Sequence, residues 1–137
     1  MDMTALRAAG ILLVTMATSP FPAVADDVPD RSVASDVQRV AYDIGVATVL
    51  GVRCARVRSN TQQRDRLIKD YRVGHEAEFD VANLKGMTVT RERMAKFKPG
   101  KICGDASRDY GFHGKIQPRL LRNRTRDDVD ANLSDLD

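Results

Sequence analysis

The sequence predicts an all-α domain of three or four helices, stapled by one disulfide and followed by a disordered C-terminal tail. Three observations carry that expectation. Apolar and small residues recur at helical spacing through most of residues 36–110, and no run alternates as a half-buried strand does. Two cysteines, Cys54 and Cys103, stand alone in a chain of 137 residues. After Leu121 the chain is charged and has little apolar content.

The central helix is expected from Asp36 to Cys54, DVQRVAYDIGVATVLGVRC. Val37, Val40, Ile44, Ala47, Gly51 and Cys54 follow steps of three and four and so share one face. Tyr42, Val46 and Val49 form a second apolar strip, which predicts burial over much of the helix girth. Ser35 suits the N-cap, and Asp36 suits the positive end of the helix dipole. Gly45 and Gly51 each cost about 1 kcal/mol relative to Ala within a helix. The expected return is close approach of neighbouring helices. The alternative is a small-residue seam of Ala47 and Gly51 used for dimerisation.

Ahead of this helix the chain reads as an export signal over residues 1–25. Arg7 gives a weakly positive start, residues 8–17 form a short apolar core, and Ala23-Val24-Ala25 is a small-residue cleavage site. The core falls short of the about 20 residues that a membrane-spanning helix needs. The alternative is an uncleaved anchor. Cleavage would leave 112 residues, one small domain, with residues 26–34 as a flexible lead-in. The destination is periplasmic or secreted. In such an oxidising compartment Cys54 and Cys103 have only each other as internal partner. The chain-entropy model gives a loop of this length roughly 4 kcal/mol of stabilisation.

Beyond Cys54, residues 55–60 read as a basic, polar turn. Asn60 is placed to cap a helix starting at Thr61, in which Leu67, Ile68 and Tyr71 form a narrow apolar stripe. Tyr71, His75, Phe79 and Ala82 keep helical spacing, and Val89, Met94 and Phe97 continue it. The reading taken is one long helix to about Phe97, bent at Gly86. The alternative is two helices broken near Gly86-Met87. Pro99-Gly100 breaks the chain. A short last helix follows from Lys101 to Tyr110, with Ile102, Cys103, Ala106 and Tyr110 on one face and Gly111 as its stop. Tyr42, Tyr71, Phe79, Phe97, Tyr110 and Phe112 are the expected large core groups. The helical domain thus spans 35–121, with residues 122–137 as the charged tail. Charge divides sharply around that boundary: 115–126 holds five basic residues and no acid, and 127–137 holds five aspartates and no base.

A glycine-bearing helix reaching a first cysteine, then Tyr71-x-x-Gly74, a second cysteine in a helix ending Tyr110-Gly111, and Gly114-x-x-x-Pro118-x-Leu120-Leu121 form a pattern over Val37 to Leu121. It resembles small exported two-cysteine helical proteins of proteobacteria that have no assigned function. The resemblance implies a helical fold with a disulfide and implies nothing about activity. Ala55 stands where many such proteins carry a proline.

The residues present exclude several functions. There is no serine nucleophile motif, no phosphate-binding glycine loop and no Cys-x-x-Cys redox motif. The two cysteines lack the companions that zinc requires, so no metal or cofactor is expected. His75 beside Glu78 reads as a partly exposed structural histidine, and His113 as a turn residue. Asp105 and Asp109, one turn apart, read as a solvated charged face. Of 22 basic and 19 acidic residues, the net charge of +3 implies no nucleic-acid partner. The clustered bases are Arg53, Arg56 and Arg58, then Arg64, Arg66, Lys69 and Arg72. These are the candidate anion-binding residues, suited to lipid headgroups or an anionic polymer. The primary expectation is a non-enzymatic envelope protein that binds a protein partner or buffers envelope stress. A module binding anionic envelope lipid or polymer is the alternative.

Overall fold

The computed structural model describes residues 31–128. The expected signal peptide, its cleavage site, most of the lead-in and the tail beyond 128 lie outside those residues. Within them the domain is mostly helical: α1 Asp36–Arg53, α2 Thr61–Arg72, α3 Glu76–Lys96 and α4 Pro99–Tyr110, with short strands β1 Val57–Ser59 and β2 Leu121–Asn123. The central helix is α1, which touches β1 and the other three helices.

Local chemistry sets its start. The Ser35 side chain accepts from the Gln38 amide, and the Gln38 side chain accepts from the Ser35 amide, a reciprocal capping box. Val40 to Ala47 and Val49 to Gly51 are buried, so both expected strips face protein. Asp43 is a charge within that buried run. Arg31 answers it with two hydrogen bonds, Nη1 at 2.8 Å and Nη2 at 2.9 Å, which straps the lead-in across α1.

The helix expected from Tyr71 to Phe97 is not continuous, and the break is not at Gly86. α2 ends at Arg72, and Gly74 takes the left-handed φ of 79° that lets the chain turn before α3 begins. Gly86 sits inside an unbroken α3 for another reason. A Cβ there would lie 2.2 Å from the Tyr42 carbonyl oxygen, and one on Gly45 would lie 2.1 Å from that of Asn83. The two glycines let α1 and α3 cross with their backbones in contact. Gly51 faces β1 instead, where a Cβ would meet Ser59 Oγ at 2.4 Å. The Ala47–Gly51 seam is therefore filled within the chain and is not open for dimerisation.

The strands correct the reading of 55–60 as a turn. They pair antiparallel, Val57 opposite Asn123 and Ser59 opposite Leu121. Three residues are too few to show alternation, and the partners lie far apart in sequence. Leu120, Leu121 and Val57 are almost fully buried beside Ile44 and Phe79. Of the expected core aromatics, Tyr42, Phe79 and Tyr110 are buried and Tyr71 packs partly against them. Phe97 and Phe112 are exposed, at the ends of α3 and α4. The last helix also starts earlier than expected, because proline is well tolerated at the first helical position.

The expected tail boundary at 122 is likewise corrected. Arg122 and Asn123 belong to β2, and the chain continues into a helical turn at 126–128. There Asp128 accepts from Arg122 Nη1 at 2.6 Å, Arg58 Nη1 at 2.9 Å and the Thr125 amide at 2.8 Å. The Arg122 bond first, and the Thr125 amide next, hold its carboxyl well below the usual carboxylate range. The disulfide joins Cys54 and Cys103, with Cα atoms 5.5 Å apart. It fixes the end of α1, just before β1, to the first half of α4.

Candidate anion-binding cleft

Beyond Tyr110 the chain folds back on the end of α4. The amides of Lys115 and Ile116 donate to the carbonyls of Arg108 and Asp109 at 3.0 Å, and the Arg119 amide donates to Gly111 at 2.7 Å. These bonds satisfy carbonyls that the helix end leaves unpaired. They also hold residues 111–119 as a shaped wall. Burial of Leu120 and Leu121 carries the chain from that wall into β2.

Between this wall, α2, the end of α4 and the strands lies a cleft of about 1010 Å³. Asn60, Gln62, Gln63 and Arg66 line one side, and Ser107 and Arg108 another. Phe112, His113, Lys115 and Arg119 come from the folded-back loop, with Arg122 and Asn123 from β2. The lining includes five arginine or lysine side chains and a histidine, and no aspartate or glutamate. A second hollow of about 570 Å³ shares Gln63, Arg66, Phe112, His113 and Arg119 with the first and adds Asp70 and Tyr71.

The cations differ in how far carboxylates already satisfy them. Arg122 is held by Asp128, and Arg108 by Asp105 at 3.0 Å and Asp109 at 2.9 Å. Arg66 meets Asp70 only at 3.8 Å. Arg119 stacks its guanidinium over the Phe112 ring, 4.7 Å from the centroid, and His113 meets that ring edge-on at 4.7 Å. Neither Lys115 nor Arg119 is ion-paired among the described residues.

Of the arginine and lysine candidates picked from the sequence, Arg66 lines this cleft. Arg53 and Arg56 line a separate hollow of about 490 Å³ beside the disulfide and the start of α4. Arg58 is bound to Asp128, Arg64 to Asp65 at 3.1 Å, and Arg72 to Asp80 through two bonds of 2.9 Å. Lys69 lies on α2 outside the cleft lining. Sequence reasoning did not name Lys115, Arg119 and Arg122 as site residues: it saw them only as members of the basic block 115–126, which runs from the end of the expected domain into the expected tail. The available signal was Leu120-Leu121, an apolar pair inside a basic run, which needs a core to enter.

His75 caps α3 in position only, with its Nδ1 3.6 Å from Glu78 Oε2. Asp105 and Asp109 share Arg108, which is exposed, while both aspartates are half-buried. Among the described residues no group of three or more His, Cys, Asp or Glu is placed to hold a metal ion. No helix among them is long and apolar enough to cross a membrane. A scan against family models and searches of curated proteins and of solved structures found no match to this chain.

Proposed function

We propose that the chain is an exported, non-enzymatic binding protein of the periplasm or extracellular space, and that its cleft takes an anionic ligand. The observation that carries this reading is the cleft lining, which gathers Arg66, Arg108, Lys115, Arg119, Arg122 and His113 with no carboxylate. A concave surface lined by one sign of charge concentrates counter-ions of the other. The disulfide supports the reading because it fixes α4 against the start of β1, two of the cleft walls. Amide shifts of the labelled protein on titration with pyrophosphate test it. Shifts centred on residues 112–122, weakened by Lys115→Glu, are expected. Shifts absent from those residues refute it.

A second reading is a protein partner, with a role in envelope stress. Val73, Val81 and Leu84 favour it, since they are exposed along one side of α3 and its approach. Photo-crosslinking from position 81 in cells tests it, and capture of no specific partner counts against it.

A further inference from the structure

We propose that Arg119 is the anchor of the cleft and that the anion is a linear phosphate polymer lying across both hollows. This inference rests on the anion-binding reading above and adds the ligand class and the key residue.

Arg119 is the one non-glycine residue with positive φ among the described residues, at 64°. Side chains rarely take that conformation, and glycine takes it more readily. Strain of this kind persists where surrounding structure enforces it, and it collects at ligand sites. Here the Gly111 carbonyl holds the Arg119 amide, and the Phe112 ring holds the guanidinium. No described carboxylate uses the fork of donors that results. A fixed, unpaired guanidinium matches phosphate oxygens two at a time.

The two hollows share Gln63, Arg66, Phe112, His113 and Arg119 and so adjoin as one path at the Phe112–Arg119 contact; the one carboxylate lining it, Asp70, is met by Arg66 at 3.8 Å. Together the hollows far exceed the room that one phosphate needs. The cations lie within a concavity, whereas a bilayer presents a flat surface. Phe112 is the one exposed benzenoid ring of the path, Tyr71 being half-buried and His113 set edge-on to Phe112, and Arg119 covers one face of Phe112. Successive nucleobases therefore lack the ladder of aromatic platforms that single-strand binders use. A chain of phosphates without bases fits the remaining features.

Calorimetry of the oxidised chain compares inorganic polyphosphate of about 15 units with tripolyphosphate, orthophosphate, oligothymidylate and phosphatidylglycerol vesicles. The polymer is expected to bind more than tenfold tighter than tripolyphosphate, beyond the ratio of their lengths. The log–log salt slope should be about −2, from Arg66, Lys115 and Arg119 at roughly 0.7 each. Arg119→Gly should lose at least tenfold in affinity without lowering Tm, since glycine relieves the backbone. Arg119→Lys should fall between the two. Equal binding of tripolyphosphate and polymer overturns the polymer assignment and leaves anion binding standing. Tighter binding of oligothymidylate or vesicles overturns it in favour of those ligands. Full affinity in Arg119→Gly overturns the anchor role. Failure of every anion overturns both this inference and the reading beneath it.

Discussion

Replacing Gly86 by alanine should destabilise the protein, although helix propensity alone predicts the opposite. In an exposed helix interior the change would gain about 1 kcal/mol. At Gly86 the new Cβ would lie 2.2 Å from the Tyr42 carbonyl oxygen and 3.0 Å from its carbonyl carbon. Contacts below 3.0 Å are essentially never made by real Cβ atoms, so the oxygen must recede by close to 1 Å. That oxygen belongs to the backbone of α1, which is buried along most of its length, so no side-chain rotation relieves the clash. The helices must separate at their crossing, and Gly45 against Asn83 opens with them. Overpacking typically costs about 1–3 kcal/mol, and with backbone forced to move the upper part of that range applies, leaving a net loss of about 1–2 kcal/mol after the propensity gain. Gly104 provides the control. It lies inside α4 with nothing within 4 Å of a built Cβ, so Gly104→Ala should gain up to about 1 kcal/mol. Urea unfolding of the oxidised protein reads both. For a domain of this size a net loss of 1 kcal/mol corresponds to a Tm lower by about 4–8 °C. Stabilisation by Gly86→Ala equal to that of Gly104→Ala would refute the close crossing.

Three further perturbations test other parts of the fold. Cys54→Ser should lower stability by roughly 2–5 kcal/mol and weaken anion binding, because the bond fixes α4 against the start of β1; an unchanged urea midpoint on reduction would count against a structural role. Arg31→Ala should cost about 2–3 kcal/mol, below the full figure for a buried pair because the arginine side chain is 39 % exposed while that of Asp43 is 1 % exposed. The double change Arg31→Met with Asp43→Leu should recover part of that loss, and failure to recover any would mean that the loss does not come from leaving the buried Asp43 charge unpaired. Asp128 titrates below its unfolded value, so its contribution is full above about pH 4 and is lost as pH falls toward the folded pKa. Asp128→Asn should therefore unfold at lower urea than the parent at pH 7, with the two midpoints converging below pH 4; a constant difference across that range would refute the role of the charge.

What the sequence made legible was local. Ser35, Asn60 and the spacing of Val40, Ile44 and Ala47 act within a turn or two, and the structure puts each where local rules do. What it hid was set by distant partners. Gly74 and Gly86 look alike in the chain, yet one turns the backbone at positive φ and the other yields space to Tyr42. β1 and β2 are three residues each and take their pairing from parts of the chain separated by three helices. The cleft was hidden for the same reason. Its cations come from α2, α4, a folded-back loop and β2, and composition alone had set part of that loop beside the tail.

The same geometry ranks the cleft residues by what they leave available to a ligand. Arg108 and Arg122 each bind carboxylates, so an anion gains less from them than their number suggests. Arg66 is held loosely at 3.8 Å, and Lys115 and Arg119 are not ion-paired among the described residues. Removing charge at Arg119 or Lys115 should therefore weaken anion binding most, with Arg66 next. Arg122→Gln should act differently, because Asp128 loses its shortest partner and the exit of β2 loosens. Its effect should appear first as a lower urea midpoint and only then as weaker binding. Measuring affinity and stability on all four variants separates the two kinds of cation. Parallel losses of affinity at Arg122 and Lys115, with unchanged midpoints in both, would mean that Asp128 does not hold Arg122 in solution.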